Sequence, residues 1–225
     1  MKNISLEIKR GNIAYQNVDS SINSSNGYCI HGSGTAKQFR EVCGYLPVGD
    51  TSYQSLVDKA KHPLDKVLAY VNNVRPRPSV FQKECLEHII DVRDSKPLEL
   101  GDALVTSSGD LAKVPKKAKY IINAIGMDYS WEKEPPAVIK ATHNSVRDSL
   151  IKCFDIANRK KCKSVAMPIM CTSKGGMSLE ESLYASNEAL QALDMTTSYV
   201  TKVVIVLHSK ELLKEEKVIR DFFKL

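Results

Sequence analysis

Apolar residues alternate with polar ones across residues 3–9 (Ile4, Leu6, Ile8), the period-two signature of a strand, and the run stops at Gly11. Residues 18–22 predict a second, shorter strand, followed by a polar, glycine-rich loop from Asn23 to Gly34. From there the spacing of Ala36, Phe39 and Val42 or Cys43 predicts a helix to about Cys43. Residues 45–100 read differently, as two helical stretches, about 53–72 and 79–92, on either side of Arg75-Pro76-Arg77-Pro78. Proline fixes its own φ and disfavours helix in the residue before it, so that run predicts a corner. Beyond Gly101 strands are predicted at 103–106, 120–125, 164–169 and 200–207; the last is almost continuously apolar, as in a strand buried on both faces. Helices are predicted at 136–160 (Ile139, His143, Val146, Leu150, Phe154 and Ala157 on one face), 179–193 and 211–223. Such alternation predicts an α/β fold of three layers, helices on both faces of a central mixed sheet. The expected organisation is one domain over 1–225, with 45–100 as a helical insertion within it.

Composition narrows the class. With 43% hydrophobic and 26% charged residues among 225, the chain is an ordinary globular one, and disorder is excluded. No stretch approaches the roughly 20 apolar residues that cross a bilayer, so no membrane partner is expected. The N-terminal residues mix charge with apolar side chains and do not read as a secretory signal. Six cysteines without a CxxC pair point to reduced thiols and a cytoplasmic location. Lys and Arg number 32 against 26 Asp and Glu; the +6 excess reads as solvated basic faces, or as a surface that attracts phosphates.

Two loops carry the residues a phosphate site needs. Residues 23–39 (NSSNGYCIHGSGTAKQF) and 167–178 (MPIMCTSKGGMS) each set glycines and small hydroxyl residues before a helix. Missing Cβ atoms let a ligand approach backbone, and free N–H groups at a helix start suit an anion. In open α/β sheets ligands collect outside the carboxyl ends of strands, where both loops are expected. Either loop alone is as readily a plain turn.

In order along the chain, several segments resemble those of the macro domains, a family that binds ADP-ribose. Lys9-Arg10-Gly11-Asn12-Ile13 resembles the family's opening Gly-Asp-Ile turn, and residues 18–26 (VDSSINSSN) its VDAIVNAAN strand. Gly32-Ser33-Gly34 stands where a glycine triplet follows. Residues 101–106 (GDALVT) with Gly109 and Leu111, and 120–126 (YIINAIG), are similar to its GDA-xxT and YVIHAVG segments. Residues 167–176 (MPIMCTSKGG) resemble its FPAISTGIYG loop, and the chain from Lys202 matches its last strand and helix. Residues 32–39 also resemble a G-x-G-x-A-x-x-F pattern in macro domains that act on ADP-ribosylated DNA or glutamate.

The resemblance implies roles residue by residue. Asn12, with Ile13, stands at the adenine-binding turn in place of an aspartate; its uncharged carbonyl accepts a weaker hydrogen bond, and a simple turn role is the alternative. Asn26 would contact the distal ribose and is the candidate catalytic residue. Gly32, Ser33 and Gly34 would wrap the distal ribose and pyrophosphate, and Thr172, Ser173, Lys174, Gly175 and Gly176 would cover the phosphates. Lys174 either adds an ammonium there or is merely solvated. His208 would stack on adenine, or else start the following helix at the surface. No cofactor and no metal is implied.

Three departures bear on catalysis. Ala36 stands ten residues beyond Asn26, where a hydrolase branch carries a water-orienting aspartate, and Gly175 replaces an aromatic residue. Lys37 does not fall on the position of the lysine that another branch uses as nucleophile. Cys29, His31 and Cys171 converge as a nucleophilic pair or zinc site, or are plain wall residues. The expected function is therefore ADP-ribose binding with hydrolysis of an ADP-ribosylated protein or nucleic acid. The alternatives are a reader without turnover, or a degenerate module that binds a protein through 45–100.

Overall fold

The computed structural model describes residues 3–30, 34–74, 78–131, 136–196 and 198–225, and the backbone alone for 71–74. The predicted corner at 75–78 therefore lies mostly outside the described residues, as do His31, Gly32 and Ser33.

The elements in chain order are β1 (Ser5–Arg10), β2 (Ser20–Ser25), α1 (Gly34–Val42), α2 (Ser52–Lys59), α3 (Leu64–Val74), α4 (Val80–Glu87), β3 (Ala103–Ser107), β4 (Tyr120–Ile125), β5 (Asp128–Ser130), β6 (Ala137–Ile139), α5 (His143–Arg159), β7 (Ser164–Pro168), α6 (Leu179–Asp194), β8 (Lys202–Leu207), α7 (Lys210–Lys214) and α8 (Glu216–Phe223). Six strands form a mixed sheet in the order β1-β8-β7-β2-β4-β3. Every neighbouring pair is parallel except β3 with β4.

Side-chain alternation assigns the two faces. Ile122, Val165, Met167, Val203 and Ile205 join one core with Val146, Leu150 and Phe154 of α5 and Leu183 and Leu190 of α6. Ile121, Ile125, Ala166, Val204 and Val206 point the other way, into a second core with Phe39 of α1 and Phe81 and Cys85 of α4. The result is the expected three-layer α/β fold with a mixed sheet. The apolar residues of 45–100 are buried there too: Leu64, Val67, Leu68, Phe81 and Ile89 are fully enclosed, and α4 lies against β3 and α1.

Four predicted elements differ. The helix expected from Pro136 begins only at His143, because Thr142 caps it: its hydroxyl accepts the Ser145 N–H at 3.1 Å while Ser145 Oγ accepts the Thr142 N–H at 2.9 Å. Residues 137–139 instead form a hairpin, β5–β6. The stretch 53–72 divides into α2 and α3 just before Leu64, since Pro63 has no N–H to continue a helix. The helix expected at 211–223 divides at Glu215, and the strand expected to stop at Ile22 runs on to Ser25.

Candidate functional site

β8, β7, β2 and β4 are adjacent and parallel, so their carboxyl ends open on one edge of the sheet. A cleft of about 1140 Å³ runs along that edge. Its walls follow the strand order: His208 beyond β8, Ile169 and residues 171–175 beyond β7, Asn26 and then Gly34, Thr35 and Ala36 beyond β2, and Met127, Tyr129 and Trp131 beyond β4.

The loop beyond β7 folds tightly on itself. Met177 N–H donates to Cys171 O and Gly176 N–H to Ser173 O, each at 3.1 Å, while Gly175 O accepts the Ala141 N–H at 3.0 Å. A Cβ on Gly175 would lie 2.6–2.9 Å from the Cβ, carbonyl oxygen and Cα of Cys171, so no larger residue fits this turn. Thr172, Ser173, Lys174 and Gly175 line the cleft. Gly176 holds a left-handed φ of +72° against the Lys140 stem and is not among the lining residues.

Asn26 is 6% exposed at the cleft wall. Its Nδ2 donates to Ile30 O at 2.9 Å and its Oδ1 accepts the Ile30 N–H at 3.2 Å, bracing the loop. An amide offers two donors and two lone pairs, so one of each remains for a ligand. Behind it, Thr35 Oγ1 donates to Asn23 Oδ1 at 3.1 Å, and Asn23 Nδ2 donates to Asn123 Oδ1 at 2.8 Å. This buried chain ties the start of α1 to two strands.

Asn12 and Ile13 stand apart from the cleft lining. Asn12 Oδ1 accepts the Ala14 N–H at 2.8 Å as the cap of a short 3-10 turn, and Ile13 is fully buried in the second core. The cap takes one of the two Oδ1 lone pairs, so the turn role is present. Of Cys29, His31 and Cys171, His31 lies outside the described residues. Cys29 is enclosed in the second core and Cys171 in the first, and no group of metal-ligating side chains occurs among the described residues. Burial pushes the Cys171 thiol up to about 11, only partly offset by Ser24, which excludes an activated thiolate at neutral pH.

His208 is half-buried in the wall. Burial lowers its pKa below the ordinary imidazole value, with the Glu211 charge opposing, so the ring is neutral at pH 7. Its Nδ1 is buried without a partner among the described residues.

One wall was not foreseen from the sequence. Trp131 makes edge-on contacts with Tyr28, Tyr70 and Tyr129, at centroid distances of 6.5, 5.8 and 6.1 Å. Tyr129 lies in β5, Trp131 directly follows it, and Tyr70 belongs to α3. The signal available was the alternation Met127, Tyr129, Trp131 around Asp128, whose carboxylate turns back to accept the Gly27 N–H at 3.1 Å.

A family profile described as Macro domain matches residues 75–185. Over that stretch, just under half of the chain, the sequence is similar to the macro domains. The profile spans the β4 segment and the loop beyond β7, whereas Asn26 and His208 lie outside it. Three solved macro-domain structures share the fold. The Oceanobacillus iheyensis macrodomain with MES bound has a TM-score of 0.67 at 17% identity, covering 100% of this chain and 93% of that one. The same macrodomain with ADP gives 0.66 at 17%, covering 100% and 95%. The Trypanosoma brucei macrodomain in complex with ADP-ribose gives 0.62 at 14%, covering 96% and 68%. No curated protein matches this chain by sequence.

Proposed function

We propose that this chain binds ADP-ribose in the 1140 Å³ cleft. The observation that carries the reading is the order of groups along the sheet edge. The neutral His208 ring, the small-residue loop 172–175 and the Asn26 amide follow one another as adenine, pyrophosphate and distal ribose do in the ligand. Adenine stacks on His208, the pyrophosphate lies over Thr172, Ser173 and Gly175 with the Lys174 ammonium beside it, and the distal ribose meets Asn26 and Gly34. Gly32 and Ser33, which the resemblance assigns to the ribose and phosphates, lie outside the described residues, and Gly176 lies outside the cleft lining. Asn12 and Ile13, which the resemblance assigns to adenine, are not among the residues lining the cleft. The ligands in the Oceanobacillus iheyensis and Trypanosoma brucei structures support the assignment.

The test is calorimetric titration with ADP-ribose and with AMP. ADP-ribose binds at least tenfold tighter, and Asn26→Ala weakens it while leaving AMP unchanged. Equal affinities, or no heat for either, overturn the reading.

A second reading is release of ADP-ribose from a modified acceptor, favoured by the spare hydrogen-bonding capacity of Asn26. Ala36 lines the cleft where a carboxylate would orient water, and the lining carboxylates, Glu211 and Glu215, belong to the His208 end. Turnover then relies on backbone donors and the substrate's own phosphate, without the 10²–10⁴ that a side-chain acid or base contributes. Slow release that disappears in Asn26→Ala supports turnover; intact substrate after prolonged incubation makes this protein a reader.

A further inference from the structure

The opposite edge of the sheet, where the parallel strands β2, β4 and β7 begin, carries a second concavity of about 410 Å³. Lys113, Lys116, Lys117 and Lys119 line it, with Asn17 and Ser164. Asp19, Lys119 and Lys163 are the residues immediately before the three strands. The Asp19 carbonyl oxygen accepts the Lys119 N–H at 2.9 Å and its Oδ2 accepts the Lys163 N–H at 2.8 Å. Two basic runs that are distant in sequence, 113–119 and 159–163, thereby form one surface on which Lys116, Lys119, Lys160, Lys161 and Lys163 are exposed. Lys160 holds its ammonium 5.1 Å from the centroid of the Tyr120 ring.

The acidic side chains at this edge are fewer. Asp110 pairs with Lys113 at 2.6 Å, Asp19 Oδ2 also accepts the Ser164 N–H and hydroxyl, each at 2.9 Å, and Asp155 stands one turn before Arg159 on α5. The summed charge of these groups is positive and attracts polyanions. Exposed tyrosines flank the surface. Lys117 Nζ donates to the Tyr15 carbonyl oxygen and to Asn17 Oδ1, which sets Tyr15, 56% exposed, beside the concavity. Tyr199, also 56% exposed, donates its N–H to Asn158 Oδ1 at 3.1 Å, next to the turn that carries Lys160 and Lys161.

Ammonium groups on flexible stems meet phosphates as point charges, and an exposed phenol ring stacks on a base of any identity. An acidic peptide would use the lysines and leave both rings idle, and a flat anionic bilayer would leave the concavity unfilled. We infer that this edge of the sheet binds a single-stranded nucleic acid, with its phosphodiester backbone on Lys116, Lys119 and Lys163 and bases on Tyr15 and Tyr199. The proposed ADP-ribose cleft lies at the other ends of the same strands, so the two ligands do not compete.

Fluorescence anisotropy with labelled oligo(dT) and oligo(U), each about 15 nucleotides long, tests this on the whole chain. At least one of them binds, the tighter identifies the sugar, and saturating ADP-ribose leaves the affinity unchanged. Lys116→Gln, Lys119→Gln and Lys163→Gln combined weaken binding about tenfold or more and reduce the slope of log affinity against log salt by about 2. Lys59→Gln, Lys66→Gln and Lys96→Gln combined change the net charge equally, outside the concavity lining, and have little effect. Tyr15→Ala with Tyr199→Ala weakens binding about fivefold or more and keeps the salt slope. All the substituted side chains are exposed, and unchanged melting temperatures show that the variants fold. The inference is overturned when neither oligonucleotide binds at low salt, when ADP-ribose displaces the strand, or when the two lysine triples weaken it equally. It is overturned as well when the tyrosine variant binds like the native chain, or when polyglutamate or phosphatidylserine vesicles bind as tightly as the oligonucleotides.

Discussion

Asn23 Nδ2 donates to Asn123 Oδ1 at 2.8 Å across the centre of the sheet, and neither residue has any exposed surface. Asn123 Nδ2 passes on to Leu104 O at 3.3 Å, so the pair links β2, β4 and β3 beneath the cleft. Asn123→Leu leaves the Asn23 donor buried without its partner, a cost of about 1–3 kcal/mol. Urea denaturation measures this directly. Asn23→Ser, which also strands Thr35 Oγ1, is destabilised and loses ADP-ribose affinity as well, because Thr35 lies in the cleft wall.

Gly175→Ala is the sharpest probe of the phosphate loop. The methyl group meets Cys171 at 2.6–2.9 Å, mainly against backbone, and the turn has to open. Overpacking of this kind costs about 1–3 kcal/mol, and ADP-ribose affinity is expected to fall roughly tenfold or more. Thermal melting and calorimetry report the two effects separately. A variant with native affinity would show that the tight turn has no part in binding.

Asp128 supplies a pH dependence of stability. Burial raises its pKa above the ordinary carboxylate value, opposed by hydrogen bonds from the Tyr129 and Gly27 backbone. A folded pKa above the unfolded one means that the native state binds the proton more tightly. The charged form is therefore a cost at neutral pH that fades as pH falls through the folded value. Asp128→Asn keeps an oxygen for the Gly27 N–H and removes the charge. Melting temperatures are expected to be higher than native at pH 7–8, with the difference shrinking towards pH 4.

All six cysteines are buried and free. Burial raises the Cys171 thiol to about 11, and burial with the Glu84 and Asp110 charges raises Cys43 to about 12. Ellman's reagent at pH 8 is expected to find the native thiols slow and all of them fast after denaturation. Cys171, on the cleft wall, is further protected by ADP-ribose. A fast native thiol would contradict the burial.

Periodicity and spacing determined the strands, the two glycine loops and the three-layer order, because period-two and near-period-four apolar patterns are local properties of the chain. Local chemistry also carried the capping signals that misled or were missed. Ile139, His143 and Val146 keep helical spacing, yet only the Thr142–Ser145 box marks where α5 begins. Pro63 was the visible break between α2 and α3. The site was legible only as parts: Asn26, residues 172–175 and His208 are far apart in sequence, and parallel strand pairing alone aligns them along one edge. Asn12 shows the limit from the other side, since a turn residue and a ligand residue have the same local sequence, and its cap to Ala14 appears only in the structure. The aromatic wall was decided wholly by tertiary structure. Tyr70 of α3 and Trp131 beyond β5 meet edge-on, a contact between distant segments that no local pattern encodes.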